Sequence, residues 1–188
     1  MPRLTALIAI PFLLGSAAFA GTAVPVSHFS DLKAHAGADV KVVYGSAQRV
    51  TVISGDLKKG HVEVKDGHVL DISGCSGMFC WSSHKFEVEV VTPQVASVTA
   101  DSGADVNASG NFPKQAHLSV QAHSGGDVDV RAIPADTVDA QASSGGDARV
   151  NALATLNAQA NSGGDVHYSG HPAHVNSQSN SGGDVTSE

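Results

Sequence analysis

Gln121-Ala122-His123-Ser124-Gly125-Gly126-Asp127-Val128-Asp129-Val130 is the stretch from which the architecture can be read, because its pattern returns along the second half of the chain. Its centre, Ser-Gly-Gly-Asp, begins at Ser124, Ser144, Ser162 and Ser181, and an earlier copy reads Ser102-Gly103-Ala104-Asp105. The steps between these serines are 22, 20, 18 and 19 residues. A motif that recurs at near-constant spacing marks one supersecondary unit stacked on itself.

Aligning the copies on the serine exposes columns. Six residues before it stand Ala96, Leu118, Val138, Leu156 and Val175; four before stand Val98, Val120, Ala140, Ala158 and Ser177; two before stand Ala100, Ala122, Ala142, Ala160 and Ser179. The positions between are polar, notably Gln121, Gln141, Gln159 and Gln178. After the turn come Val106, Val128, Ala148, Val166 and Val185, again apolar. Strict alternation is the period of a strand with one face buried and one wet. Like residues about twenty apart pair most simply in parallel, rung above rung at about 4.8 Å. The expected fold class is therefore all-β, a parallel β-helix of about five ~20-residue coils. A β-sandwich using Ser-Gly-Gly-Asp as a hairpin loop is the alternative, but hairpins do not require like residues twenty apart. Stacked glutamines would form an amide ladder on the outside. The last copy turns its inward columns to serine, as terminal repeats do.

Working outward, residues 21–95 read as alternating strands, with Asp66-Gly67 as a hairpin signal between two of them. They are expected to form a β-meander or irregular first coils that cap a repeat region spanning 96–188. Residues 1–20 differ in kind. Arg3, an apolar run from Leu4 to Leu14 and the small-x-small sequence Ala18-Phe19-Ala20 make a signal peptide, with cleavage expected after Ala20. Export to the periplasm or beyond places Cys75 and Cys80 in an oxidising compartment, where they are expected to form a structural disulfide. Their four-residue separation does not fit a redox Cys-x-x-Cys pair.

Charge narrows the partners. The formal net charge is −7, and beyond residue 95 three basic residues (Lys114, Arg131, Arg149) face ten acidic ones. Such a surface repels phosphate backbones, so nucleic acid is excluded as a partner.

The sequence resembles the head GIN domain family, also labelled auto-transporter adhesins, of bacterial envelope proteins. The matching residues are Lys85-Phe86-Glu87-Val88-Glu89-Val90-Val91-Thr92-Pro93 leading into Val98-Thr99-Ala100-Asp101-Ser102-Gly103, the repeated Ser-Gly-Gly-Asp-Val turns, and Val166-His167-Tyr168-Ser169-Gly170-His171-Pro172. The similarity runs from about Phe29 to the C-terminus. The family's turn is usually Ser-Gly-Ser-Gly-Asp-like, from which the Gly-Gly form departs. The resemblance implies a right-handed β-helix, an envelope or secreted location, and no catalytic residues.

Two groups invite a metal. Asp105, Asp127, Asp147, Asp165 and Asp184 form a column of carboxylates, each adjacent pair repelling by about 1 kcal/mol in water. Calcium would relieve this, but so would turn N–H donors worth about 1 kcal/mol each. Turn capping is the favoured role, and the second half-site of a calcium-binding β-roll is absent. His167, His171 and His174 cluster near the end and could hold zinc or copper, although ten histidines make coincidence easy. No catalytic constellation is visible: Arg131 and Arg149 fall at different offsets from their serines, and aromatics for stacking sugars are scarce. The expectation is a non-catalytic envelope protein without cofactors, serving adhesion to an envelope glycan or protein, or a structural role. A calcium-dependent or glycan-processing protein using the aspartate edge is the alternative.

Overall fold

The computed structural model describes residues 21–75 and 85–188. Within them lie sixteen strands: β1 (Thr22–Val24), β2 (Asp31–His35), β3 (Ala38–Tyr44), β4 (Arg49–Ser54), β5 (His61–Lys65), β6 (Val69–Ser73), β7 (Phe86–Thr92), β8 (Ser97–Asp101), β9 (Asp105–Ser109), β10 (Gln115–His123), β11 (Asp127–Asp129), β12 (Ala135–Ser143), β13 (Asp147–Asn161), β14 (Asp165–Ser169), β15 (His174–Asn180) and β16 (Asp184–Ser187). They join in one mixed sheet whose main path is β1-β4-β7-β3-β9-β11-β13-β12-β10-β8-β2-β6-β5.

The chain is all-β, but the expected right-handed parallel β-helix is not what forms. The structure is a nearly closed, barrel-shaped sheet with thirteen mixed strands on its path. The finding that overturns the expectation is strand direction: β1 with β4, β4 with β7, and β5 with β6 are antiparallel. The cause lies before residue 96. Asp66-Gly67 turns the chain back on itself, with both residues at positive φ (52° and 74°), and so sets β5 against β6. Strands from this half also enter among the repeats, with β2 between β6 and β8, and β3 between β7 and β9.

Pairing between the repeat strands is parallel and like over like. Leu118 lies opposite Val138, Val138 opposite Leu156, and Leu156 opposite Val175. Val106, Val128, Ala148, Val166 and Val185 form a second continuous row. The inward rows are sealed: Leu118, Val138, Leu156, Ala100, Ala122, Ala142 and Ala160 are all fully buried. Each large aliphatic side chain so buried stabilises by about 1.5–3 kcal/mol.

Alanine beside each turn keeps the interior narrow there. The second glycine of each turn is required for the same reason. A Cβ on Gly146 would lie 2.7 Å from the carbonyl carbon and oxygen of Ala122, and the equivalents on Gly126, Gly164 and Gly183 meet backbone just as closely. Among the described residues β15 pairs with β13 on one side and with no strand on the other. Every residue of β15 is exposed, which accounts for Ser177 and Ser179 where earlier rungs carry alanine.

Candidate functional site

Each repeat turn places serine and the first glycine in the left-handed region, as at Ser124 (φ 53°) and Gly125 (φ 71°). The following aspartate then starts the next strand with its side chain outward. Ala36 (φ 55°) and Gly37 (φ 72°) adopt the same turn. His35-Ala36-Gly37-Ala38-Asp39-Val40 is therefore a further copy, hidden because alanine replaces the serine. Its signal was present in the flanks, since Leu32 and Ala34 occupy the apolar columns before the turn and Val40 the one after it.

This copy lengthens the carboxylate ladder. Asp39 lies opposite Asp105, Asp105 opposite Asp127, Asp127 opposite Asp147, Asp147 opposite Asp165, and Asp165 opposite Asp184. Glu87 on β7 continues the row beyond Asp39. The structure thus brings together all five aspartates expected from the repeat and adds two acidic groups.

Backbone donors relieve part of the repulsion. The N–H of Asp147 donates to Asp127 Oδ1 at 3.3 Å, and the N–H of Asp184 donates to Asp165 Oδ1 at 3.0 Å. The donors belong to the rung above, so these bonds stitch neighbouring rungs together. Asp105 is held less comfortably. Partial desolvation, then the charges of Asp127 and Asp39 and a hydrogen bond shared with Asp39, push its carboxyl above the ordinary range. Lys85 lies beside the start of the ladder, 3.5 Å from Asp39 and 3.4 Å from Glu87.

A second polar surface covers the outside of β10, β12, β13 and β15. Gln121, Gln141, Gln159 and Gln178 are in register there. The hydrogen bonds run along the adjacent row instead: Asn157 Nδ2 donates to Asp139 Oδ1 at 2.7 Å, and Asn176 Nδ2 donates to Asn157 Oδ1 at 2.9 Å. The glutamine amides are therefore free of one another and available to a ligand. Shallow depressions on this face are lined by Gln121, Gln141, Gln159, Gln178, Asp139 and Asn176, among others.

The remaining candidates are dispersed. His167 lies on β14 with Nδ1 2.8 Å from Thr186 Oγ1, and His174 opens β15 opposite Thr155. With His171 between the two strands, these three histidines are not drawn into one ligand set. Arg131 is bound to Asp129 and, at 2.7 Å, to Glu188. Cys80 and the segment 1–20 lie outside the described residues, so the expected Cys75–Cys80 bridge and signal peptide do too. Among the described residues no helix is long and apolar enough to cross a membrane.

The model of the family described as "Putative auto-transporter adhesin, head GIN domain" matches residues 28–116 and 80–172. The chain belongs to this family. No curated protein matches it. Among solved structures, a Bacteroides fragilis protein described as a putative adhesin aligns with a TM-score of 0.55 at 16% identity, covering 89% of this chain and 96% of that one. A Clostridium sporogenes protein described as a putative cell adhesion protein aligns with a TM-score of 0.36 at 10% identity, over 89% of this chain and 100% of that one. At such identities the first likeness speaks for the shared fold alone, and the second is too loose to carry weight. Membership of an adhesin-like family indicates an exported or envelope protein with a binding role.

Proposed function

We propose that the protein is a non-catalytic, exported envelope adhesin that binds through the polar rows on the outside of its sheet. The observation that carries this reading is the register. Seven carboxylates along one edge and four unpaired glutamine amides on the neighbouring face stand at the fixed strand spacing of about 4.8 Å on a scaffold with a sealed apolar core. Such rows are preorganised, so a ligand with its own repeating polar groups does not have to order them on binding. Amides that both donate and accept suit hydroxyl-rich glycans or the backbone of an extended peptide.

Delivery follows from the N-terminal segment, with cleavage after Ala20 and release into the periplasm or the medium. A Cys75–Cys80 disulfide formed there closes a short loop, which stabilises by about 2 kcal/mol. The aspartate row serves chiefly to tie neighbouring rungs together through backbone N–H groups and to set a negative surface that rejects nucleic acid.

A glycan array probed with the mature protein, with and without calcium, tests the reading. Binding that is lost on Gln141→Ala/Gln159→Ala supports it. Binding that survives this change, or release of reducing sugar from envelope polysaccharide, overturns it. Binding that appears only with calcium would transfer the role from the amide face to the aspartate edge.

A further inference from the structure

At the opposite end of the row that runs from Gln121 through Thr99 and Lys33 to Asp71, the strand order β2-β6-β5 gathers three side chains that sequence proximity does not suggest. His35, at the end of β2, and His61, at the start of β5, both lie opposite Ser73 of β6, one on each side. Their imidazoles lean over Asp71, two residues earlier on β6. Asp71 is a buried carboxylate with a side chain only 4% exposed, while His35 and His61 are 28% and 35% exposed.

We propose that His35, His61 and Asp71 form a binding site for one divalent cation of the zinc class. The geometry is that of a tetrahedral site before its ion enters. His35 Nε2 is 3.4 Å and His61 Nε2 3.1 Å from Asp71 Oδ2. With metal–ligand distances of about 2.0–2.2 Å, the edges of a zinc tetrahedron are roughly 3.3–3.6 Å. Two edges therefore need almost no adjustment, and the third lies within a set whose members are all within 4.8 Å of one another. Among the described residues this is the one group of three such side chains so placed.

A cation already occupies the neighbourhood in the form of the Lys65 ammonium, 2.6 Å from Asp71 Oδ2 and 3.2 Å from Glu63 Oε1. Burial alone would push the Asp71 carboxyl up, but hydrogen bonds from Lys65, His61 and His35 outweigh it and hold the group below its ordinary value. Its two oxygens face both imidazoles and the ammonium. Lys65 is half exposed on a flexible stem and can swing away. Glu63, whose Oε1 is 3.8 Å from His61 Nε2, or a water then completes the coordination. Two imidazoles and one carboxylate favour zinc, copper(II) or nickel over calcium or magnesium, which prefer all-oxygen sets. The site uses His35, His61 and Asp71 and none of Gln121, Gln141, Gln159 or Gln178, so its failure leaves the adhesive reading intact.

Zinc titrated calorimetrically into the mature protein, after EDTA treatment and dialysis, should show one saturable site and raise the melting temperature. His35→Gln and His61→Gln, both at half-exposed positions compatible with folding, should each weaken binding by more than the roughly tenfold that loss of an outer-shell partner costs. Lys65→Met should tighten it, and cobalt(II) should give the intense visible bands of a tetrahedral complex. Absence of saturable heat overturns the proposal. So does a single site that persists unchanged in the His35→Gln/His61→Gln double variant, which would place the metal elsewhere, for example among His167, His171 and His174.

Discussion

Replacing the two glycines of one turn by alanine, one at a time, tests the close stacking of rungs. At Gly145 φ is 75° and a new Cβ meets nothing within 4 Å, so the cost is conformational. A left-handed residue bearing Cβ loses about 1–2 kcal/mol. Removing glycine from the unfolded chain returns about 0.4–1 kcal/mol, leaving a net loss near 0.5–1 kcal/mol. Gly146 is the reverse case. Its φ is not positive, but its Cβ would press to 2.7 Å on the Ala122 carbonyl and 2.9 Å on the Gly126 oxygen. Those atoms belong to hydrogen-bonded backbone, where Asp147 N–H donates to Gly126 O, and they cannot yield as a side chain would. Overpacking costs about 1–3 kcal/mol in ordinary cores, and about 3 kcal/mol or more is expected here. For a chain of this length 1 kcal/mol corresponds to about 2–4 °C. Thermal and urea melts should therefore show Gly145→Ala within about 4 °C of the parent and Gly146→Ala lower by about 6–12 °C. Equal losses, or a milder loss at Gly146, would refute the close approach of the rungs.

Three further outcomes are expected. Asp105 has a carboxyl raised above its ordinary value; a raised carboxyl binds protons more readily folded than unfolded, so its penalty exists at neutral pH and fades as pH falls through the folded value. Asp105→Asn should accordingly raise the melting temperature at pH 7, with the gain disappearing in acid. Asp71 is lowered, so its contribution is present above the ordinary carboxylate range and is lost as pH falls through its depressed folded value. Asp71→Asn should destabilise at pH 7, and melts compared from pH 7 downward should converge. Arg131→Ala frees Glu188 from an exposed pair worth about 0.2–1 kcal/mol, and its effect on urea unfolding should shrink further in high salt.

The repeat columns were readable beforehand over the central rungs, though not the copy at His35–Val40, nor that Ala96 and Val175 at the column's ends are exposed. Leu118, Val138 and Leu156 face inward and lie over one another as their alignment implies, because alternation directly reports which face of a strand each side chain takes. The five aspartates were readable for the same reason. Gln121 and Gln141 were placed correctly, yet the ladder bonds went to Asp139, Asn157 and Asn176; register follows from the period, whereas side-chain pairing depends on reach and competition.

What escaped was how the strands before residue 96 thread among those of the repeat. Alternation is blind to strand direction, so the antiparallel pairs of β1 with β4 and β4 with β7 could not be distinguished from parallel ones, whereas Asp66-Gly67 did signal the β5–β6 hairpin. Asp39 joins the carboxylate row only because β3 enters beside β9, and Glu87 only because β7 lies on its other side. His35 and Asp71 are 36 residues apart in sequence and meet because β2 pairs with β6. The sequence alone therefore determined the strands, their inner and outer faces and the stacking of like residues within the repeat, all of which follow from local periodicity. Only the tertiary structure decided how the first strands thread among the later ones and which polar groups they gather, because those contacts arise when distant segments compete to cover the same apolar interior.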